Sequence, residues 1–154
     1  MDTEIKLYSD TRQQKGKHRN IEEYCKKHNI EMIPVCLPVG DYMLADNTSV
    51  SIDTKQDLVE LASDLMADKL AFFKKYKKCY EHKIRLIVLV EDDNFLQLED
   101  VCRWQNPHTK NKKLALNGRK LMELMHEVKI SYGVEFVFCN KNDTGQKLIE
   151  LLRR

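Results

Sequence analysis

The chain is 154 residues long, which suits one domain with a core of its own. Its 26 basic and 24 acidic residues leave a formal net charge of +2, too small to signal nucleic-acid binding by itself, and a 42% hydrophobic content excludes a disordered tail. Five scattered cysteines without a CxxC pair argue against a disulfide framework or a zinc ribbon, and the apolar run Leu86–Val90 is far too short to span a membrane.

In chain order, Glu4–Asp10 reads as a first strand. Asn20 with Glu23 has the spacing of a capping box and predicts a helix over 21–28, which Asn29 closes. A second strand follows over 31–39, and its two prolines, Pro34 and Pro38, mark an edge or a bent path. Asp41–Leu44 and Val50–Asp53 read as a hairpin joined by the polar turn Ala45–Ser49. From Asp57 to His82 apolar residues return at three- and four-residue steps, which predicts a long helix with Leu58, Leu61, Leu65, Met66, Phe72, Phe73 and Tyr76 inward. Asp57 and Glu60 repeat the capping-box spacing at its start. The β-branched run Ile84–Val90 predicts a central strand covered on both faces. Beyond it come a short amphipathic piece at 96–104, a polar loop over 105–118 and a helix from Asn117 to about Ser131. A strand over 134–139 and a closing helix capped by Asp143 complete the chain. The expected class is α/β, a mixed central sheet flanked by helices in a single domain over 1–154.

The hairpin carries the chemistry. Alternate strand residues share a face, so Ser51, Asp53 and Lys55 point one way while Val50 and Ile52 point into the core. With Ala45–Ser49 as the whole turn, Asp41 lies across from Asp53, about 5 Å away at Cβ. Two carboxylates so placed repel unless a cation lies between them. Mg²⁺ suits this position, because it takes carboxylate oxygens and keeps several waters. Lys55 on the same face completes a set suited to metal-assisted phosphodiester hydrolysis. The alternative is a solvated hairpin face carrying an ordinary Asp/Lys pair.

The stretch "GDYML" followed by "VSIDTK" resembles the GD…ERK signature of XPF-type structure-specific endonucleases, within the restriction-endonuclease-like PD-(D/E)xK superfamily. "YSDTRQ" at Tyr8–Gln13 is similar to the D-x-R-E segment of that family's first strand. The resemblance implies a restriction-endonuclease-like fold of the compact phage or bacterial type, with Mg²⁺ as cofactor and Mn²⁺ as substitute. It makes Asp41 and Asp53 the metal-binding pair, Lys55 the catalytic lysine and Asp10 a further acid beside them. Arg12 takes the place of an arginine that contacts DNA or braces the site. Three positions depart from the pattern: Gln13 replaces a glutamate, Thr54 an arginine, and Val59 stands where an acid is usual. The implied activity is cleavage of branched, flapped or junction DNA in repair or recombination, in the cytoplasm of a bacterium or a phage-infected cell. The alternative is a nuclease fold that has lost activity and binds DNA or a protein. Such enzymes often carry a helix-hairpin-helix domain after the nuclease domain, and none is expected here, so DNA binding is expected from the nuclease domain itself, as a homodimer, or from a partner.

Three basic clusters offer phosphate contacts. Lys15, Lys17 and Arg19 follow the first strand and are the preferred DNA-binding group. Lys112 and Lys113 belong to the long loop. "KKYKK" at Lys74–Lys78 reads as the solvated face of a helix whose other face is core. Trp104 reads as a loop anchor rather than a base-stacking residue.

Overall fold

The computed structural model describes residues 4–67, 69–108 and 116–154. Its elements are β1 (Lys6–Asp10), α1 (Arg19–Lys27), β2 (Glu31–Val35), β3 (Tyr42–Leu44), β4 (Asn47–Lys55), α2 (Leu58–Ala67), α3 (Lys69–Glu81), β5 (Arg85–Val90), α4 (Gly118–Tyr132), β6 (Glu135–Phe138) and α5 (Thr144–Leu152). Short 3-10 turns span Leu98–Arg103 and Lys141–Asp143.

The strands form one sheet in the order β2-β1-β3-β4-β5-β6. β3 runs antiparallel to both neighbours, and the remaining pairs are parallel. The sheet is therefore mixed, with helices on both faces, as its strand and helix order predicts. β5 shows how the two faces are filled. Leu86, Val88 and Val90 join the core under α2, α3 and α4, where Leu61, Tyr76, Leu121 and Met125 lie. Ile87 and Leu89 join the opposite core with Ile21, Cys25, Leu148 and Leu152 of α1 and α5. A strand with period two and apolar residues at every position is what two helical layers require.

The proline-bearing strand is an edge strand, as expected. It ends at Val35 rather than at residue 39. The Leu37 amide donates to Asp10 Oδ1 (3.0 Å) instead of to the sheet, and Pro38 has no amide to continue the ladder.

Four local expectations are corrected. Asn20 does not cap α1; the helix starts at Arg19, two residues earlier than expected, and the Asn20 amide donates instead to Glu91 Oε2 and the Lys141 carbonyl. The helical stretch after the hairpin comprises two helices, α2 and α3, with residue 68 outside the described set. The inward placements of Met66 and Phe72 concern side chains that also lie outside it. Asp143 occupies the N-cap position of α5 without a side-chain cap, because the preceding 3-10 turn holds it near φ −102°, ψ 1° rather than in the extended geometry a cap uses. Finally, β3 and β4 turn over Ala45–Asp46 alone. Leu44 pairs with Asn47 and Tyr42 with Ile52, so irregularity in β4 takes up the difference. Asn117, by contrast, caps α4 as expected, its side chain accepting from the Lys120 amide (2.9 Å).

Candidate active site

Asp41 enters the site from the residue just before β3. Gly40 precedes it with φ +74°, a conformation that favours glycine, and a Cβ there would collide with Ser51 Oγ. The Asp41 amide then donates to the Ile52 carbonyl (2.7 Å), and the Asp41 carbonyl accepts from the Asp10 amide (2.8 Å). Two strands, β1 and β4, thus hold this one backbone position. Its carboxylate is oriented by Thr54, whose amide (2.8 Å) and hydroxyl (2.7 Å) both donate to Asp41 Oδ2. The hydroxyl's single proton goes to Asp41, so the His18 ring nitrogen 3.1 Å from Thr54 Oγ1 is an N–H donor. Burial, and then the nearby Lys17, lowers the His18 pKa to about 4, which keeps the ring neutral.

Asp53 and Lys55 share the α2/α3 face of β4, as strand alternation predicts. Both are almost wholly buried, at 4% and 6% exposure. Lys55 Nζ lies 3.4 Å from Asp53 Oδ2 and 2.7 Å from Asp64 Oδ2 on α2. A second ammonium, Lys75 of α3, also bonds Asp53 Oδ2.

The two aspartates differ sharply in their electrostatics. Burial, and then the charge of Asp53, raises the Asp41 pKa to about 6 against the pull of the Thr54 donors. Burial alone would raise Asp53 as well, yet Lys75 and then Lys55 hold it below its ordinary value. Burial would lower Lys55, and Asp53 and Asp64 outweigh it. At neutral pH the pair therefore carries negative charge that the lysines offset on one side only.

Both aspartates open into a cleft of about 450 Å³, walled by Arg12 on one side and by Lys74, Lys75 and Lys78 of α3 on another. Among the described residues, Asp41 Oδ1 and Asp53 Oδ1 accept no hydrogen bond, and no cluster of three or more His, Cys, Asp or Glu side chains could hold a metal. Two hard oxygen donors beside a wet cleft fit Mg²⁺ or Mn²⁺, which take one or two carboxylates and fill the remaining positions with water and substrate oxygens. They do not fit a structural zinc site.

The other expected site residues divide. Asp10 lies beside Asp41 in the sheet, but its carboxylate is committed to Arg12 and the Leu37 amide. Arg12 also donates to the Leu37 carbonyl, so it braces the loop while lining the cleft. Lys17 pairs with Glu60 of α2. Lys15 is exposed, and Arg19 pairs with Glu23 on the surface of α1. Lys112 and Lys113 lie outside the described residues. Gln13 does not point where a glutamate ligand would help; its amide donates to the Asp41 carbonyl (2.7 Å) and accepts from the Tyr42 hydroxyl (3.1 Å).

The reading of Lys74–Lys78 as a solvated face is corrected in part. Lys77 is solvated and pairs with Glu81, whereas Lys74, Lys75 and Lys78 line the cleft and Lys75 meets Asp53. Their spacing, i, i+1 and i+4, already marks a single helical stripe. What the sequence lacked was the direction in which that stripe faces. Trp104 is half-buried and packs on the core, in keeping with a loop anchor.

A family model described as "ERCC4 domain" matches residues 9–152. No curated protein matches the chain. Solved structures share the fold, among them the following two. XPF from Aeropyrum pernix superposes with a TM-score of 0.67 at 19% identity, over 96% of this chain and 63% of that one. XPF from Aeropyrum pernix in complex with DNA gives 0.66 at 17% identity, over 97% and 64%. The chain therefore spans a little under two thirds of either structure. At these identities the likeness is one of fold, and that fold is the restriction-endonuclease-like architecture that the motifs imply.

Proposed function

The chain belongs to the ERCC4 domain family, the XPF-type family its motifs resemble, and from that premise we propose that it is a divalent-metal-dependent DNA endonuclease. The observation that carries this reading is the opening of Asp41 and Asp53, with Lys55 held against Asp53, into a cleft walled by Arg12, Lys74, Lys75 and Lys78. Acids backed by a buried lysine suit hydrolysis, and cations at the other walls suit a polyanionic strand.

In this reading Asp41 and Asp53 would hold Mg²⁺ or Mn²⁺. When bound, the cation supplies Lewis-acid polarisation of the scissile phosphodiester. Thr54 fixes the Asp41 carboxylate, and His18 fixes Thr54. Lys55, locked between Asp53 and Asp64, holds a positive charge that stabilises negative charge growing at the phosphate. Arg12, Lys15, Lys17, Arg19, Lys112 and Lys113, with Lys74 and Lys78, contribute phosphate contacts that position the strand without reading its bases. Branched, flapped or junction DNA is the substrate class, repair or recombination in a bacterial or phage-infected cytoplasm the setting, and a single domain over 1–154, acting as a homodimer, the unit. Among the described residues no helix is long and apolar enough to cross a membrane.

The test is cleavage of branched, single-stranded and plain duplex DNA in Mg²⁺, Mn²⁺ or EDTA. Wild type should cut branched DNA in either metal, and Asp41→Asn, Asp53→Asn and Lys55→Ala should each lower the rate by about 10²-fold or more. Normal cutting by either aspartate variant overturns the mechanism. One observation favours an inactive binding module instead: Gln13 places an amide where the family has an acid. Tight DNA binding without cleavage in any metal would establish that alternative.

A further inference from the structure

The site holds two lysines on one carboxylate, and their surroundings differ. The Lys55 side chain is 8% exposed and is gripped from two sides, by Asp53 and Asp64. The Lys75 side chain is 33% exposed, lines the cleft, and meets Asp53 as its one carboxylate partner among the described residues. Its ammonium also lies 5.8 Å from the centroid of the Tyr76 ring, a weaker attraction than an ion pair. Lys75 stands on α3 with Lys74 and Lys78, so its flexible stem can leave Asp53 and still lie along a basic wall. Lys55 has no such freedom.

Two aspartates that open into one cleft attract a divalent cation, and an ammonium on Asp53 already occupies part of the space and charge that such a cation needs. Both cannot sit at full strength on the same carboxylate, since like charges a few ångströms apart repel strongly at low effective dielectric. We propose that Lys75 is a displaceable counter-ion: its ammonium neutralises Asp53 in the metal-free protein, is released when a divalent cation binds the Asp41–Asp53 pair, and then contacts the scissile phosphate of the DNA strand. The exchange couples metal loading to substrate capture. With the metal absent, Lys75 stays on Asp53 and the cleft presents one cation fewer to DNA. With the metal in place, the wall of Lys74, Lys75 and Lys78 is complete. This inference rests on the nuclease reading above and adds a residue that the family-like motifs do not contain.

The experiment titrates Mn²⁺ into wild type, Lys75→Met, Lys75→Gln, Asp41→Asn and Asp53→Asn by calorimetry without DNA, and measures single-turnover cleavage of branched DNA at saturating Mn²⁺. Both Lys75 variants should bind Mn²⁺ at least about threefold more tightly than wild type, because the competing charge is gone. The same variants should cleave at least about tenfold more slowly at saturating metal, because the phosphate contact is gone. A bystander lysine whose loss merely loosened the fold would weaken metal binding, not strengthen it. Unchanged or weaker Mn²⁺ binding in both Lys75 variants overturns the counter-ion role. Tighter binding with an unchanged cleavage rate overturns the transfer to phosphate. If Asp41→Asn and Asp53→Asn leave the Mn²⁺ isotherm as in wild type, the metal is not at this pair, and the nuclease reading falls together with the inference.

Discussion

Asp41 sits in a position that costs the protein stability whenever no cation is present. Its folded-state pKa of about 6 lies above the ordinary 3.8, so between these values the folded protein holds more protons than the unfolded chain. Stability from this group therefore declines as pH rises from about 4 to 6 and stays low above. Asp41→Asn removes the charge but keeps an oxygen to accept from Thr54. In EDTA at pH 7 the variant should be more stable than wild type by on the order of 1–3 kcal/mol, and the advantage should shrink as pH falls below 6. His18 titrates in both proteins and cancels in the difference. Thermal melts at pH 5, 6 and 7 check this, and an advantage independent of pH would show that the repulsion is not its source. Added Mg²⁺ should raise the melting temperature of wild type but not of Asp41→Asn, since only a competent pair gains from ligand binding. The same scale shows how far motifs reach. Asp41, Asp53 and Lys55 were readable because strand alternation puts the second and third on one face and places the first across the hairpin. Thr54 was not, because an arginine-to-threonine departure says nothing about a hydroxyl that donates to Asp41.

At the scale of elements, the hairpin is the part most sensitive to change. Gly40 combines a positive φ with a backbone approach that leaves no room for a Cβ against Ser51. Gly40→Ala should destabilise the protein by about 2 kcal/mol or more and displace Asp41 with it, which denaturant unfolding and the loss of Mn²⁺ binding would report together. Lys83 offers the opposite case. It follows α3 with φ 55°, is exposed, and its neighbour Ile84 donates to the Cys79 carbonyl (2.9 Å) in the manner of a left-handed helix end. Lys83→Gly should stabilise by roughly 0.5–1 kcal/mol, read as a shift in the denaturation midpoint with no change in slope. Periodicity located the strands and helices, since each buried stripe repeats at the interval its element demands. It did not locate the turn. Ala45–Ser49 looks like one polar loop, yet two residues turn and the next three already belong to β4, Asn47 pairing with Leu44, because the ladder forms where strand backbone finds a partner, not where side chains are apolar.

For the molecule as a whole, the net charge of +2 hides an uneven distribution. Acids and bases elsewhere neutralise each other on the surface, as in Lys77–Glu81 and Arg119–Glu123, while the cleft gathers Arg12, Lys74, Lys75 and Lys78. Binding of branched DNA should therefore weaken steeply with salt, and Lys74→Ala or Lys78→Ala should each reduce the slope of log affinity against log salt by about one while leaving substrate preference unchanged. Filter binding from 50 to 300 mM salt checks it, and an unaltered slope would remove α3 from the DNA path.

By itself the sequence determined the α/β alternation, the twice-covered strand β5, the edge placement of β2 and the shared face of Asp53 and Lys55, because each is written in local spacing and residue type. Only the tertiary structure decided that Asp10 spends its carboxylate on Arg12 and Leu37, that Gln13 serves the backbone of Asp41, and that a lysine 22 residues beyond Asp53 reaches its carboxylate. Those are meetings between side chains brought close by packing. Spacing along a chain fixes the face on which a residue lies, but what that face meets depends on how helices settle onto the sheet.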